Sequence, residues 1–213
     1  TPHANELIEL AASKNLNLSV YHNRRWDNDY LTLQQEISKL GTISLYEAYF
    51  DRYRPEVSLQ KWRETTNHGG GILYDLGSHL LDQALNLFGM PEAIFADLET
   101  QRVNAQLTDY FQIILYYQKM RVVLGSSSIM TQARPILAAY GDKGSFVKYG
   151  LDPQEDMLRS GMTPVDADFG VENEINNAQL SINSEHGLTR QAIISQTGNY
   201  PYFYQQLYRA LVD

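Results

Sequence analysis

Asp75 and His79 are the two side chains whose types and spacing best suit chemistry. They lie four residues apart after the run Gly69-Gly70-Gly71, so a helix over this segment would carry both on one face. A carboxylate beside an imidazole can fix the ring tautomer and raise its basicity, which brings its pKa near the working pH. The spacing therefore predicts a pair that takes up and releases a proton.

The helix that would carry this pair is mostly apolar. Its polar side chains form a narrow stripe of Asp75, His79, Asp82 and Asn86 among leucines at positions 73, 76, 80, 81 and 85. A stripe that faces solvent would normally hold Lys and Glu instead. We therefore expect this stripe to face a cleft.

Two other interpretations of the pair stay open. Asp75 could cap the helix, and His79 could be a hydrogen-bonded residue at the edge of the core. A metal site is a third option, because His68, Asp75, His79 and Asp82 are suitable ligand types. No second tight ligand pair follows, so we predict no metal.

The composition excludes several classes of protein. The chain has 213 residues, of which 43% are hydrophobic, enough for one large domain or one domain plus part of another. Its formal charge of -8 and its pI of about 5.1 lack the basic footprint of a nucleic-acid binder. With 0 Cys it has no disulfide and no thiolate site, which fits the cytoplasm. Neither a long apolar run nor a signal peptide is present, so we expect no membrane partner.

The first forty residues predict a piece of an α/β unit. Thr1 and Pro2 are typical of an N-cap and first-turn proline of a helix that ends near Asn15, and residues 16–21 indicate a short strand. A helix that starts at the first residue and leads into a strand is typical of the tail of such a unit. Asp27 should cap the next helix, and Gly41 should end it.

Strands dominate the rest of the chain. Branched, aromatic and alternating residues indicate strands over residues 43–50, 93–98, 110–117, 121–129, 136–140, 145–149, 179–183 and 189–195. Turn signals at residues 118–119 and 141–144 predict hairpins. Residues 151–176 indicate a long loop with a short helix at 155–159, and a last helix covers residues 201–212.

Several motifs, in this order, resemble one known family. They are Tyr21-His22-Asn23-Arg24-Arg25-Trp26-Asp27, Lys61-Trp62-Arg63-Glu64, Gly69-Gly70-Gly71, and Tyr74-Asp75-Leu76-Gly77-Ser78-His79 followed by Asp82. The chain resembles, over its whole length, the glucose-fructose oxidoreductase / inositol dehydrogenase / rhizopine catabolism (Gfo/Idh/MocA) family. With Tyr53-Arg54-Pro55-Glu56 and Gln154-Glu155-Asp156, it is similar to the NADP-dependent scyllo-inositol dehydrogenase branch.

The resemblance implies a fold and a division into domains. Residues 1–24 would be the tail, a helix and last strand, of a Rossmann dinucleotide-binding domain that is otherwise absent. Residues 25–213 would form an α+β substrate-binding and oligomerisation domain, shortened at its C-terminus. Its open, mainly antiparallel sheet would carry helices on one face.

The resemblance also implies roles for particular residues. His79 would be the acid/base that acts on the substrate hydroxyl, and Asp75 would orient it or bind hydroxyls. Asn23, Arg24, Trp62 and Arg63 would contact the cofactor. As alternatives, Trp62 could simply be buried, Arg63 could pair with a surface carboxylate, and Asn23 could only shape a turn.

Two features of the family are missing from this sequence. There is no Gly-x-Gly-x-x-Gly between a strand and a helix, and no Glu-Lys-Pro motif with its catalytic Lys. On the order of 100 further residues would be needed for a cofactor domain. We therefore expect residues 1–213 alone to be inactive.

The function that the resemblance implies is oxidoreduction. The chain would be the catalytic part of an NAD- or NADP-dependent dehydrogenase of a sugar or polyol such as an inositol, with NADP favoured. The alternative is a non-catalytic sugar-sensing or regulatory protein on the same fold. A dimer or tetramer would form through the open face of the sheet, because that face needs water or a partner.

Overall fold

The strands predicted after residue 42 form one sheet in a computed structural model that describes residues 2–58, 60–65 and 69–212. The strands are β1 Ile43–Tyr49, β2 Ala93–Glu99, β3 Tyr110–Tyr116, β4 Arg121–Ser127, β5 Leu137–Gly141, β6 Gly144–Lys148, β7 Ala178–Ser184 and β8 Gly187–Ile193. The helices are α1 Pro2–Ser13, α2 Asn28–Glu36, α3 Ser78–Phe88, α4 Gln154–Arg159 and α5 Pro201–Val212. The predicted bounds agree closely, because alternation and turn residues mark short strands well.

Within these described residues the sheet has eight strands, in the order β2-β3-β4-β1-β5-β6-β7-β8. Only β1 and β4 pair in parallel, with Tyr46 opposite Val122, and every other neighbouring pair is antiparallel. The two edge strands, β2 and β8, leave the sheet open. The predicted α+β fold with an open, mainly antiparallel sheet is therefore confirmed.

One face of the sheet carries the core. Side chains of this face are fully buried against α2, α3 and the turns that adjoin them, and they include Tyr46, Phe111, Leu115, Leu124, Phe146 and Leu180. Burial of each Leu or Phe side chain among them contributes roughly 1.5–3 kcal/mol to stability. The opposite face carries Leu45, Ile114 and Val123, which are only partly buried. Helices on one face, as predicted, leave the other face uncovered.

The N-terminal segment differs from its prediction. Helix α1 ends near the expected place, where Asn15 takes a φ of 53°, whereas Thr1 lies outside the described residues. Residues 16–21 form no strand, because no other described strand lies beside them to share hydrogen bonds. Leu16, Leu18 and Val20 are 66%, 51% and 65% exposed, so this segment has no buried face.

The second predicted helix starts and stops where expected. Asp27 occupies the N-cap position of α2, but its carboxylate makes no capping bond and instead accepts one from Arg24. Gly41, with a φ of 76°, ends the helical turn that follows α2, and only glycine adopts this conformation without strain. No helix in the described part of the chain is long and apolar enough to cross a membrane.

Candidate active site

The segment that carries Asp75 and His79 departs from a regular α-helix. Leu73–Gly77 forms a π-helical turn that leads directly into α3. Gly77 permits close packing against the sheet, since a Cβ there would lie 3.3 Å from Phe111 Cζ. Turns of this kind occur frequently at functional sites. The helix is thus present where it was predicted, but its first turn is π-helical and not α-helical.

Asp75 lies inside the π-helical turn and faces a guanidinium. Its Oδ1 atom is 3.4 Å from Arg63 Nε, and its side chain is 23% exposed. Neither the turn nor α3 has a side-chain capping bond, so the helix-cap alternative finds no support among the described residues. The carboxylate keeps acceptor positions that a substrate hydroxyl can use.

His79 packs against a second histidine. Its ring centroid is 5.7 Å from that of His22, with the rings at 89°. No hydrogen bond or ion pair joins His79 to Asp75 within residues 2–58, 60–65 and 69–212. The Nδ1 atom of His79 is buried without a partner there, which leaves Nε2 as the nitrogen toward solvent.

The surroundings of His79 lower its basicity. Burial first, and then the charge of Arg24 and the His22 ring, lower the pKa of His79 from 6.5 to about 4, and Asp75 and Asp82 oppose this only in part. Asp75 thus raises the basicity of this imidazole, as expected, but burial and positive charge outweigh it, so the expectation of a pKa near the working pH is wrong. The ring is neutral at pH 7 and can accept a proton.

The other polar residues of the stripe are used elsewhere. Asp82 accepts two hydrogen bonds of 2.7 Å from Arg25, and its Oδ1 lies 3.9 Å from His22 Nε2. Asn86 donates a 2.6 Å bond to the Tyr30 hydroxyl. These contacts hold residues 22–30 against α3.

A cavity of about 680 Å³ lies over Asp75 and His79, and we call it the His79 cleft. Its lining residues are Tyr21, Asn23, Arg24, Arg52, Arg54, Arg63, Asp75, Leu76, His79, Leu151, Asp152, Glu155, Asp156, Leu158 and Arg159. They come from the segment before α2, the segment after β1, the π-helical turn and the region of α4. The expectation of a cleft thus holds for Asp75 and His79.

Arg24 connects two walls of the His79 cleft. Its Nη1 donates a 3.0 Å bond to Asp27 and its Nη2 a 3.1 Å bond to Glu155, and its guanidinium lies 4.5 Å from the centroid of the Phe50 ring. Burial, and then the neighbouring Asp29, raise the pKa of Asp27 well above its usual range, although Arg24 opposes the rise. Arg24 is therefore already engaged by protein groups.

Trp62 and Arg63 form a cation–π pair at the rim. The Arg63 guanidinium carbon lies 5.3 Å from the Trp62 ring centroid. Trp62 is 57% exposed, so the alternative that it is simply buried is wrong. Arg63 does pair with a carboxylate, but that carboxylate is Asp75. Asn23 and Arg63 line the His79 cleft, whereas Trp62 does not.

Arg52, Arg54 and His22 were not singled out from the sequence as site residues. The run Arg52-Tyr53-Arg54 follows a strand, so alternation could have indicated two arginines on one side. His22 gave no comparable signal, because its contact with His79 joins residues far apart in the chain. Among the described residues no group of three or more His, Asp or Glu could hold a metal, and His68 lies outside them.

Residues 34–213 match the C-terminal alpha/beta domain of the Gfo/Idh/MocA oxidoreductase family, so the chain belongs to that family. Over 210 residues it is 41% identical to scyllo-inositol 2-dehydrogenase (NADP(+)) IolW of Bacillus subtilis, with 97% of this chain and 58% of that protein covered. It is also 41% identical to the uncharacterized oxidoreductase YdgJ of Escherichia coli, with 98% and 60% covered. The chain thus spans about three fifths of the length of these relatives.

Solved structures show the same fold. The yvaA protein of Bacillus subtilis superposes with a TM-score of 0.93 at 40% identity, over 98% of this chain and 60% of that one. The YPO2259 protein of Yersinia pestis gives a TM-score of 0.89 at 42% identity, over 97% and 58%. The family resemblance read from the motifs is confirmed.

Proposed function

We propose that this chain is the substrate-binding and catalytic part of an NAD(P)-dependent oxidoreductase that acts on a sugar or polyol such as an inositol. The observation that carries the proposal is the presence of Asp75 and a neutral His79 in one cleft of about 680 Å³. The similarity to a relative named as an NADP-dependent scyllo-inositol dehydrogenase supports the substrate class and favours NADP.

His79 is the acid/base in this proposal. A bound nicotinamide would supply the hydride acceptor, and the chain must remove the proton of the substrate hydroxyl. His79 Nε2 takes that proton, because the ring is already neutral at pH 7. In the reverse reaction the same nitrogen returns it.

Asp75 binds and orients the substrate. It does not hold the His79 ring, since no hydrogen bond joins the two among the described residues. An ionised carboxylate only accepts hydrogen bonds, so it suits the hydroxyls of a polyol. Arg63, 3.4 Å away, fixes the carboxylate on one side.

The chain can contact one side of a dinucleotide. We propose that Asn23, Trp62 and Arg63 approach the cofactor, and that Arg24 acts through its charge because Asp27 and Glu155 already occupy its nitrogens. No strand, glycine fingerprint and helix suited to the pyrophosphate is found in the described ranges. This fits our interpretation of residues 1–24 as the tail of a Rossmann domain and 25–213 as the substrate domain.

We also propose that the chain forms a dimer or tetramer through the uncovered face of the sheet. Apolar side chains there, such as Ile114 and Val123, are partly exposed, and such surfaces are frequent association sites.

The proposal is tested with the full-length protein and a panel of neutral polyols, by following reduction of NADP⁺ or NAD⁺. Oxidation of at least one polyol, lost in His79→Ala, is the expected result. Polyol binding without any oxidation would instead support the sensing alternative, and no polyol binding would contradict both.

A further inference from the structure

A second cavity adjoins the His79 cleft and is strongly cationic. It measures about 180 Å³, and we call it the arginine pocket. Its charged lining residues are Arg52, Arg54, Lys61, Arg63, Arg102, Glu64 and Asp75. Among the described residues, five cations thus face two carboxylates, in a chain whose formal net charge is -8. This local excess of positive charge is opposite in sign to the net charge of the whole chain.

Two of the five cations are neutralised within the protein. Arg102 lies 2.9 Å from Asp109 and 3.6 Å from Glu64, and Arg63 lies 3.4 Å from Asp75. Glu64 and Asp75, the two carboxylates that line the pocket, are both engaged in these ion pairs.

The side chains of Arg52, Arg54 and Lys61 have no hydrogen bond or ion pair within the described ranges. The sequence at positions 59 and 66–68 contains no Asp or Glu either. Arg52 is half-buried, and burial followed by the like charge of Arg54 lowers its pKa. Asp75 and Glu155 oppose this lowering only in part, so an anion bound beside Arg52 would offset the remaining cost of its partial desolvation.

The backbone directs both arginines to the same side. The N–H groups of Phe50, Arg52 and Arg54 donate to carbonyls of residues 125, 127 and 128, so the segment is extended alongside the end of β4. Side chains two residues apart on extended backbone point the same way. Asp51, which precedes Arg52, points to the other side and binds Arg134. The two arginine side chains therefore project from the same side of this segment.

We propose that the arginine pocket binds an oxyanion group, a phosphate or carboxylate, carried by a molecule that also occupies the His79 cleft. Guanidinium groups match such oxyanions with paired, charge-assisted hydrogen bonds. Arg52, Arg54, Arg63 and Asp75 line both cavities, so one ligand can span them. This inference rests on the proposed function, and the anion belongs to the substrate or to the dinucleotide.

Equilibrium dialysis of the full-length protein with radiolabelled inorganic phosphate tests the pocket without requiring turnover. Saturable binding is expected, weakened about tenfold or more by Arg52→Gln and by Arg54→Gln. Arg54 is exposed, so the second variant leaves the fold intact. Arg209→Gln, an exposed site on α5, is the matched control and should bind phosphate normally.

Competition identifies the source of the anion. Displacement of phosphate by myo-inositol 1-phosphate, and not by myo-inositol, assigns the group to the substrate, whereas displacement by NADP⁺ assigns it to the cofactor. Either result supports the proposal. Phosphate that is displaced by neither compound, or bound equally by wild type and both arginine variants, overturns it, as does an absence of binding.

These outcomes separate the two proposals. A protein that oxidises neutral polyols but binds no phosphate refutes the arginine pocket and leaves the proposed function standing. A protein that binds phosphate through Arg52 and Arg54, with NADP⁺ as competitor, but oxidises no polyol supports the pocket and contradicts the proposed function.

Discussion

Replacement of His79 by alanine in the full-length protein is the most direct test of the proposed chemistry. Removal of a general base costs about 10²- to 10⁴-fold in rate. A pKa of about 4 makes this imidazole a weaker base than an ordinary histidine, so we expect the low end, about a hundredfold loss, or about 2.7 kcal/mol in activation free energy. The affinity for the cofactor should change little, because the loss is in proton transfer.

The pH dependence makes this prediction more specific. Since burial and Arg24 depress the pKa of His79 to about 4, its neutral form is fully present at neutral pH and is lost as the pH falls through about 4. The acid limb of kcat/KM for polyol oxidation should therefore lie near pH 4, well below the ordinary histidine value of 6.5.

The assay is steady-state oxidation of a polyol across pH, compared for wild type, His79→Ala and His186→Ala. His186 is exposed in the turn between β7 and β8, so its variant should behave as wild type. Near-normal turnover of His79→Ala, or an unchanged acid limb in it, would refute the assignment. An acid limb of the wild type near pH 6.5 would instead show that burial does not control this imidazole.

Two further predictions concern the surroundings of His79, one concerns the uncovered face of the sheet, and one concerns residues 1–213 alone. Asp75→Asn should lower activity and move the acid limb to still lower pH, because Asp75 raises the pKa of His79; an unmoved limb would contradict this. Arg24→Met should lower the free energy of unfolding by about 3 kcal/mol in urea titrations, because it leaves Asp27 buried without its ion pair, whereas Arg159→Met, at an exposed pair, should cost less than about 1 kcal/mol. Phe95→Glu, on the uncovered face opposite Ile114, should shift light scattering toward the monomer, and Ile94→Glu on the other face of the same strand should not; a wild type that is monomeric at high micromolar concentration would refute the interface. Residues 1–213 alone should bind neither NADH nor NADPH at micromolar concentration by calorimetry.

Local patterns were sufficient to predict most of the fold. In β3 the residues Phe111, Ile113 and Leu115 are buried and alternate with partly exposed ones, so the period of two is visible in the sequence. Gly41 was also predictable as a helix end, because its positive φ is a requirement of the local backbone. Residues 16–21 have equally strand-like composition and form no strand, because a strand also needs a neighbour that local pattern does not supply.

Only part of the candidate site could be predicted from the sequence. Spacing along one helix placed Asp75 and His79 on one cleft, and this is a local property. The groups that set their chemistry come from distant positions: His22 and Arg24 lie beside His79, and Arg63 pairs with Asp75. The direction of the His79 pKa shift was consequently wrong, because the tertiary structure adds burial and positive charge that outweigh the carboxylate.

Asp75 is the residue through which the two halves of the site act together. It lines both the His79 cleft and the arginine pocket, and its ion pair with Arg63 leaves it a partly exposed acceptor between them. A polyol ring at Asp75 would therefore place one carbon toward His79 Nε2 and its far side toward Arg52 and Arg54. Arg52 and Arg54 line both cavities, but Asp152, Glu155 and Asp156 line the His79 cleft alone, so the excess of positive charge is greater in the arginine pocket. Because the two sides differ in charge, they favour one orientation of an anionic polyol over its reverse.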